Sequence, residues 1–138
     1  MAKLVPSLSS EQIVLSGDIA VGIGFPLNVG TPNQNFTTTK QIHDNLRNLI
    51  LTMKGERPMQ PTFGSDLYNL LFEPLYEDTL TLACSDAIKS AVAQWMPFVT
   101  IEDVDVQEQR DKNLIFVRVS YSVQGWTPDN TLNLAVKV

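Results

Sequence analysis

The sequence is poor in the residues that most enzyme and metal sites use. Cys84 is the only cysteine and His43 the only histidine among 138 residues. One cysteine excludes an internal disulfide, and a single Cys and His fall short of the ligand set of a structural zinc site. No nucleophile motif surrounds Cys84 or any serine, which argues against triad-type catalysis. We therefore expect no metal and no cofactor, and we expect Cys84 to be a small buried core residue.

Long apolar runs and an excess of basic residues are also absent. No stretch approaches the roughly eighteen consecutive apolar residues of a membrane-spanning helix, and Met1–Gln12 lacks the apolar run of a signal peptide. Ten Lys plus Arg stand against fifteen Asp plus Glu, a net charge of −5. This dispersed acidic balance disfavours nucleic acid and anionic membranes as partners, because it cannot neutralise their negative charge.

The composition that remains is that of a globular protein. Hydrophobic residues make up 43% of the chain and charged residues 18%, which favours a packed core over disorder. The length suits one domain spanning residues 1–138. Residues 1–12 are rich in serine and lack periodicity, so they are predicted to form a flexible N-terminal arm.

Three segments have helical periodicity. Thr38 and Gln41 have the spacing of a capping box, and the apolar stripe that follows predicts a long helix ending at Gly55. A second long helix is predicted from an N-cap at Asp78 to the residues before Pro97, which cannot continue a helix. A short third helix is predicted between them.

The last third of the sequence changes to the alternation of β-strands. Residues 99–106 alternate with one break near Glu102 and Asp103, which predicts a β-bulge. Residues 115–123 and 132–138 alternate cleanly. Consecutive strands with short links form an antiparallel meander. The predicted fold class is therefore α+β, with an antiparallel three- or four-stranded sheet covered by two long amphipathic helices plus one short helix.

A further alternating segment lies near the N-terminus. Ile19, Val21, Ile23 and Phe25 occupy alternate positions, with glycines at two of the positions between them. This pattern predicts a strand or extended segment that buries these large side chains on one face.

The stretch from Thr52 to Pro74 is dense in glycine and proline, which predicts a rigid, extended crossing between helices. It resembles the signature of the GPW and gene-25-like family. Members of that family are baseplate wedge subunits of contractile phage tails, with relatives in type VI secretion and other contractile injection machines. The residues that carry the resemblance are Thr52, Gly55, Glu56, Arg57, Pro61, Phe63, Gly64, Leu67, Leu71, Phe72 and Glu73.

The resemblance implies a function that composition alone does not. It implies a non-enzymatic structural subunit of a contractile-tail baseplate, made in the host cytoplasm and carried in the virion tail. Its implied partners are other baseplate wedge proteins and the tail sheath subunit, with several copies around the tail axis. The subunit would dock on the wedge and template the first ring of sheath subunits. An equivalent adaptor in a secretion machine stays open.

A peptidoglycan-cleaving, lysozyme-like baseplate enzyme is the chief alternative, because some members of the family have carried that label. Glycoside hydrolysis needs two facing carboxyl groups, one kept protonated by an apolar setting. Glu56, Glu73, Glu77 and Asp78 qualify by residue type alone. We expect Glu56 to pair with the adjacent Arg57, which would keep it charged and unsuited as a general acid.

Arg57 has two interpretations of its own. Its planar fork of donors suits an anchor for the crossing loop, through bonds to nearby carbonyls or a carboxylate. The alternative is a contact with a neighbouring wedge protein. We prefer the anchor, because a proline-rich crossing needs internal polar partners.

The segment Trp95-Met96-Pro97-Phe98 departs from the family pattern. Members typically carry Glu-Pro-Arg after the long helix, following an aromatic residue, and that triplet is associated with docking onto the wedge core. Met96 and Phe98 replace the two charged residues here, so a charge-based dock is not carried over. Either both enlarge the core or both are exposed for an apolar contact. We prefer the second, because Trp95 already supplies a large core anchor.

The final strand is the second candidate for partner binding. At a sheet edge it would offer backbone donors and acceptors to a strand of another chain. The alternatives are an edge protected by Lys137 and Asn133, or a central strand. The strand residues predicted to take part are Leu132, Leu134, Val136, Lys137 and Val138.

Overall fold

The computed structural model describes residues 20–25, 30, 33–73, 77–109, 114–125 and 130–137. The elements in these ranges are β1 (Gly22–Ile23), β2 (Gln34–Asn35), α1 (Thr38–Leu51), α2 (Leu67–Leu71), α3 (Glu77–Trp95), β3 (Val99–Gln109), β4 (Leu114–Val123) and β5 (Asn130–Lys137). The chain divides into two compact units, residues 1–46 and 47–138, with the boundary inside α1. The arm predicted for residues 1–12 lies outside the described residues.

The second unit is built on an antiparallel sheet in the order β3-β4-β5. One face of the sheet is apolar and buried, because alternate residues of β4 and β5 are apolar and point to that face. Val119 and Leu132, for example, are almost completely buried. Helix α3 packs against β3. The α+β class with a three-stranded antiparallel sheet is therefore confirmed, and cover of the sheet by a long helix is observed for α3.

The predicted β-bulge is present. The pairing of β3 with β4 shifts register between Ile101 and Asp103. Beyond the shift Val104 stands opposite Val119, and both are buried. Strict alternation from Ile101 would place Val104 on the opposite face of the sheet, so the extra residue keeps the apolar side of β3 facing the core.

The core of the second unit combines aliphatic side chains from all three helices and the sheet. Each large apolar side chain that is fully buried contributes about 1.5–3 kcal/mol. The hydrophobic residues of this unit with essentially no exposed surface are Leu49, Ile50, Leu67, Cys84, Ile88, Val92, Val117, Val119, Tyr121 and Leu132. Cys84 is therefore the core residue that its helical face predicts.

Helix α1 ends at Leu51, earlier than the predicted end at Gly55, because its last carbonyls are bonded by a distant segment. The Ser65 hydroxyl donates to the Ile50 carbonyl at 2.7 Å, and the Ser65 amide donates to the Thr52 carbonyl at 2.9 Å. These bonds take the place of the next helical turn. Helix α3 begins at Glu77, so Asp78 lies inside that helix and is not the N-cap that the sequence predicts.

The first unit contains the short antiparallel ribbon of β1 and β2. The prediction that its large side chains are buried is wrong, since Val21, Ile23 and Phe25 are 37%, 54% and 37% exposed. The opposite face carries the glycines, which lie where a side chain would collide. A Cβ on Gly24 would stand 2.6 Å from the Asn35 side-chain oxygen.

A polar network fills the space beside those glycines, and no periodic pattern in the sequence marks it. Asn35 is fully buried and donates through its side-chain amide to Asp44 at 2.7 Å and to Gln41 at 3.0 Å. The Phe25 main-chain amide donates to the same Asp44 carboxylate at 3.3 Å. These bonds hold the ribbon to the first turns of α1, which is why its polar side faces inward.

Candidate partner-binding surfaces

The segment from Thr52 to Phe63 is a compact loop and not the extended crossing that its prolines predict. The Gly55 amide donates to the Pro61 carbonyl at 2.7 Å and closes the loop on itself. Two further turns follow, with the Gln60 amide bonded to Arg57 and the Phe63 amide bonded to Gln60, both at 3.1 Å. Gly55 has a φ of 89°, the left-handed conformation that glycine adopts readily.

Glu56 and Arg57 do not form the expected ion pair. The Glu56 carboxylate accepts the Met53 amide at 3.1 Å, and so it closes its own turn. The Arg57 guanidinium lies over the Phe63 ring, with Cζ 3.9 Å from the ring centre. Among the described residues Arg57 has no carboxylate within ion-pair distance. The contact that Arg57 makes is therefore a cation–π contact, and no hydrogen bond from its fork of donors is seen among the described residues.

Phe63 also contacts the end of α3. Its ring meets Trp95 edge to face, with centroids 5.1 Å apart and an interplanar angle of 65°. We call Arg57, Phe63 and Trp95 the stack. It joins the loop to the helix-to-strand corner. Nothing in the sequence indicates that these two candidate surfaces meet. The buried indole nitrogen of Trp95 has no hydrogen-bond partner within the described parts of the chain.

The corner itself divides between core and surface. Met96 is buried and Phe98 is 42% exposed, so neither prediction that treated the two residues alike is correct. The Met96 carbonyl accepts the Val99 amide at 2.9 Å, which forms the tight turn around Pro97. This turn points residue 96 inward and leaves Pro97 and Phe98 at the surface.

Strand β5 lies at an edge of the three-stranded sheet, so the central-strand alternative is wrong for the described chain. Leu132, Leu134 and Val136 are at most 3% exposed and face the core. They cannot themselves contact a partner at the surface. The backbone groups of β5 that point away from β4 and exposed side chains such as Lys137 are what this edge presents. Val138 lies outside the described residues.

The remaining motif residues lie at the surface or shape the loop. Phe72 is 64% exposed and Glu73 is exposed. Lys54 pairs with Asp66 at 2.5 Å, and both side chains are more than 40% exposed, so this pair contributes little. Gly64 has a φ of 122° and lies against the Thr52 carbonyl.

The described residues also bear on the alternatives of a catalytic or a metal centre. No cluster of three or more His, Cys, Asp or Glu that could hold a metal ion occurs in the described residues. None of the described helices is long and apolar enough to cross a membrane. Burial raises the pKa of the Cys84 thiol to about 11, which keeps it protonated and unreactive near neutrality. The side chains of Glu77 and Asp78 lie outside the description.

Comparison with known sequences gives two matches. The family model for baseplate wedge protein gp25 matches residues 37–127. Baseplate wedge protein gp25 of Enterobacteria phage T4 is 36% identical over 87 residues, which is 61% of this chain and 63% of the T4 protein. The chain thus spans less than two thirds of the length of this relative.

Comparison with solved structures gives the same fold at low identity. A protein of Geobacter sulfurreducens, provisionally described as a tail lysozyme, aligns with a TM-score of 0.64 and 19% identity over 72% of this chain and 90% of its own. A chain of the anti-feeding prophage baseplate aligns with a TM-score of 0.53 and 18% identity, over 83% of this chain and 82% of its own. A chain of the postcontracted pyocin R2 baseplate aligns with a TM-score of 0.55 and 21% identity, over 75% of this chain and 99% of its own.

Proposed function

Since the chain belongs to the baseplate wedge protein gp25 family, we propose that it is a structural subunit of a contractile-tail baseplate. The family match to residues 37–127 carries the proposal, because it includes the three helices, the loop and the corner. The mechanism is positional. The subunit holds its neighbours at a fixed place and angle, and its work involves no chemical step.

Docking on the other wedge proteins uses the helix-to-strand corner. Phe98 presents an aromatic ring at the surface, while the buried Met96 two residues before it fixes the turn from inside. An exposed aromatic side chain on a rigid turn loses little conformational freedom when a partner covers it. This combination supports Phe98 as the apolar anchor of the dock.

The first sheath subunits add to the edge of β5. The two edges of the sheet differ in a way that supports this choice. β3 carries the exposed acidic residues Glu102, Asp103 and Glu108 together with a bulge, and such features oppose strand addition. β5 carries Lys137 as its one charged residue. Because β5 lies beyond the family match, this part rests on the geometry of the sheet alone.

In the assembled particle several copies stand around the tail axis, so that modest individual contacts sum to a stable ring. The subunit is made in the host cytoplasm and carried in the virion tail, or in the corresponding baseplate of an injection or secretion machine. The positional mechanism is the same in each case.

Catalysis is not part of the proposal. Glu56 and Glu73 are both exposed, whereas a glycosidase acid needs an apolar setting to stay protonated. The Geobacter sulfurreducens protein shares the fold at 19% identity, and a shared fold does not transfer a reaction.

Co-expression with the sheath subunit from the same source tests the proposal. The chain carries an N-terminal tag, and the material that it retains is imaged by negative-stain electron microscopy. We expect rings or short sheath tubes that begin at the tagged subunit. Lys137→Pro removes a backbone donor near the end of β5, and Lys137→Ala is its matched control, which removes only the charge.

We expect Lys137→Pro to abolish ring formation while Lys137→Ala preserves it. If both variants form rings like the unchanged chain, this edge is not the template. If the unchanged chain retains no sheath even with wedge proteins supplied, the initiator role itself is wrong.

A further inference from the structure

The stack holds two polar donors that the described part of the chain does not satisfy. The Arg57 guanidinium has five N–H donors in a planar fork, and its contact is the face of the Phe63 ring. The Trp95 indole N–H is buried without an acceptor among the described residues. Buried donors in folded proteins are almost always paired, and Phe63 here contacts both a residue with an unpaired buried donor and the guanidinium of Arg57.

The carboxylates near Arg57 along the chain are already engaged. Glu56 accepts the Met53 amide, and Asp66 pairs with Lys54. The positive charge of Arg57 is therefore not neutralised within the described chain, although the protein as a whole is acidic. A guanidinium that is half buried and lies over an aromatic ring has fewer orientations open to its fork of donors, which favours bidentate binding of a carboxylate.

We propose that the stack is a carboxylate-binding site, and that its ligand is an Asp or Glu side chain of a neighbouring wedge protein. The inference rests on the proposed function, because it names the chemistry of that partner. The guanidinium of Arg57 receives the carboxylate, and the contact of Trp95 with Phe63 supports the ring on which the guanidinium lies. The corner then offers an apolar anchor at Phe98 and a charged contact at Arg57.

The experiment measures binding of the full chain to the purified wedge proteins of the same particle at low and at high salt. The variants are Arg57→Met, which keeps much of the side-chain volume but removes the charge, and Arg57→Lys, which keeps the charge but loses the fork. Arg47→Met is the matched control, because Arg47 is exposed on α1 and its loss changes the net charge equally. Thermal unfolding is recorded for every variant.

We expect Arg57→Met to weaken binding about tenfold or more at low salt and to reduce its salt dependence, with an intermediate loss for Arg57→Lys. Arg47→Met should bind like the unchanged chain. Exposed Asp and Glu residues of the wedge proteins are then changed singly to Asn and Gln. One of these changes should weaken binding of the wedge protein to the unchanged chain but not its binding to the Arg57→Met variant, because the two residues are then coupled partners.

Three results overturn the inference alone. One is equal binding by the Arg57→Met and Arg47→Met variants, and a second is a loss of binding that merely follows a lower unfolding temperature. Failure of every wedge carboxylate to couple with Arg57 also overturns it, because the bound anion is then not a protein side chain. If the unchanged chain fails to bind the wedge proteins at all, the docking role and this inference fall together.

Discussion

The Ser65 hydroxyl donates to the main-chain carbonyl of Ile50 at 2.7 Å, in a buried position at the end of α1. The same oxygen accepts the Leu67 amide at 3.4 Å, at the start of α2. One side chain therefore ends one helix and begins the next. It fixes the direction in which the chain leaves the loop, and with it the position of Phe63 in the stack.

Ser65→Ala should lower the free energy of unfolding by about 1–2 kcal/mol, because it leaves the Ile50 carbonyl buried without that donor. Urea unfolding measures the change. Ser90→Ala is the control, since Ser90 is exposed on α3 and its loss should shift the transition little. Equal midpoints for the two variants would show that the hydroxyl is not a structural link.

The parts of the fold that follow from the alternation of apolar and polar residues along the strands were predictable from the sequence. Alternation over residues 115–123 and 132–138 predicts the strands β4 and β5, and the break after Ile101 predicts the bulge. These signals are local, because successive side chains along one strand point to opposite faces of the sheet.

The parts that depend on contacts distant in sequence were not predictable. Arg57 has an adjacent carboxylate in the sequence, yet it lies on a ring six residues away that meets Trp95. In the β1–β2 ribbon the predicted alternation is present, but the buried side is the one with the glycines. The buried amide of Asn35 explains that choice, and no periodic pattern marks such a residue.

Gly64→Ala should be more damaging than Gly125→Ala. Both glycines have a positive φ, at 122° and 83°, so each substitution meets backbone strain of about 1–2 kcal/mol. A Cβ on Gly64 would also overlap the Thr52 carbonyl, whereas one on Gly125 would meet open space. We expect Gly64→Ala to cost a further 1–3 kcal/mol or so through this overlap. Chemical denaturation of both variants checks the difference, and equal losses would contradict it.

Cys84 predicts a loss of stability in alkali. Burial raises the pKa of its thiol from 9.0 to about 11 in the folded chain. Between these pH values the unfolded chain loses the proton and the folded chain keeps it, so stability falls as the pH rises from about 9 to 11. Below pH 9 the thiol is protonated in both states and contributes no pH dependence.

The measurement for Cys84 is urea unfolding at pH 8 and at pH 10. The Cys84→Ala variant is less stable at both values because of the cavity, but it should lose less stability between them than the unchanged chain does. An equal loss in both proteins would mean that other groups cause the whole alkaline effect.

Substitutions at Met96 and Phe98 should have different effects, one on the stability of the fold and the other on binding to the wedge proteins. Met96→Asp places an unpaired charge in the core and should lower the free energy of unfolding by about 3 kcal/mol or more. Phe98→Asp changes a residue that is 42% exposed, so it should cost about 1 kcal/mol or less and yet abolish binding to the wedge proteins. Thermal unfolding and a wedge-binding assay on the same preparations check both halves. A stability loss for Phe98→Asp as large as that for Met96→Asp would place Phe98 in the core, and normal wedge binding by the Phe98→Asp variant would remove it from the interface.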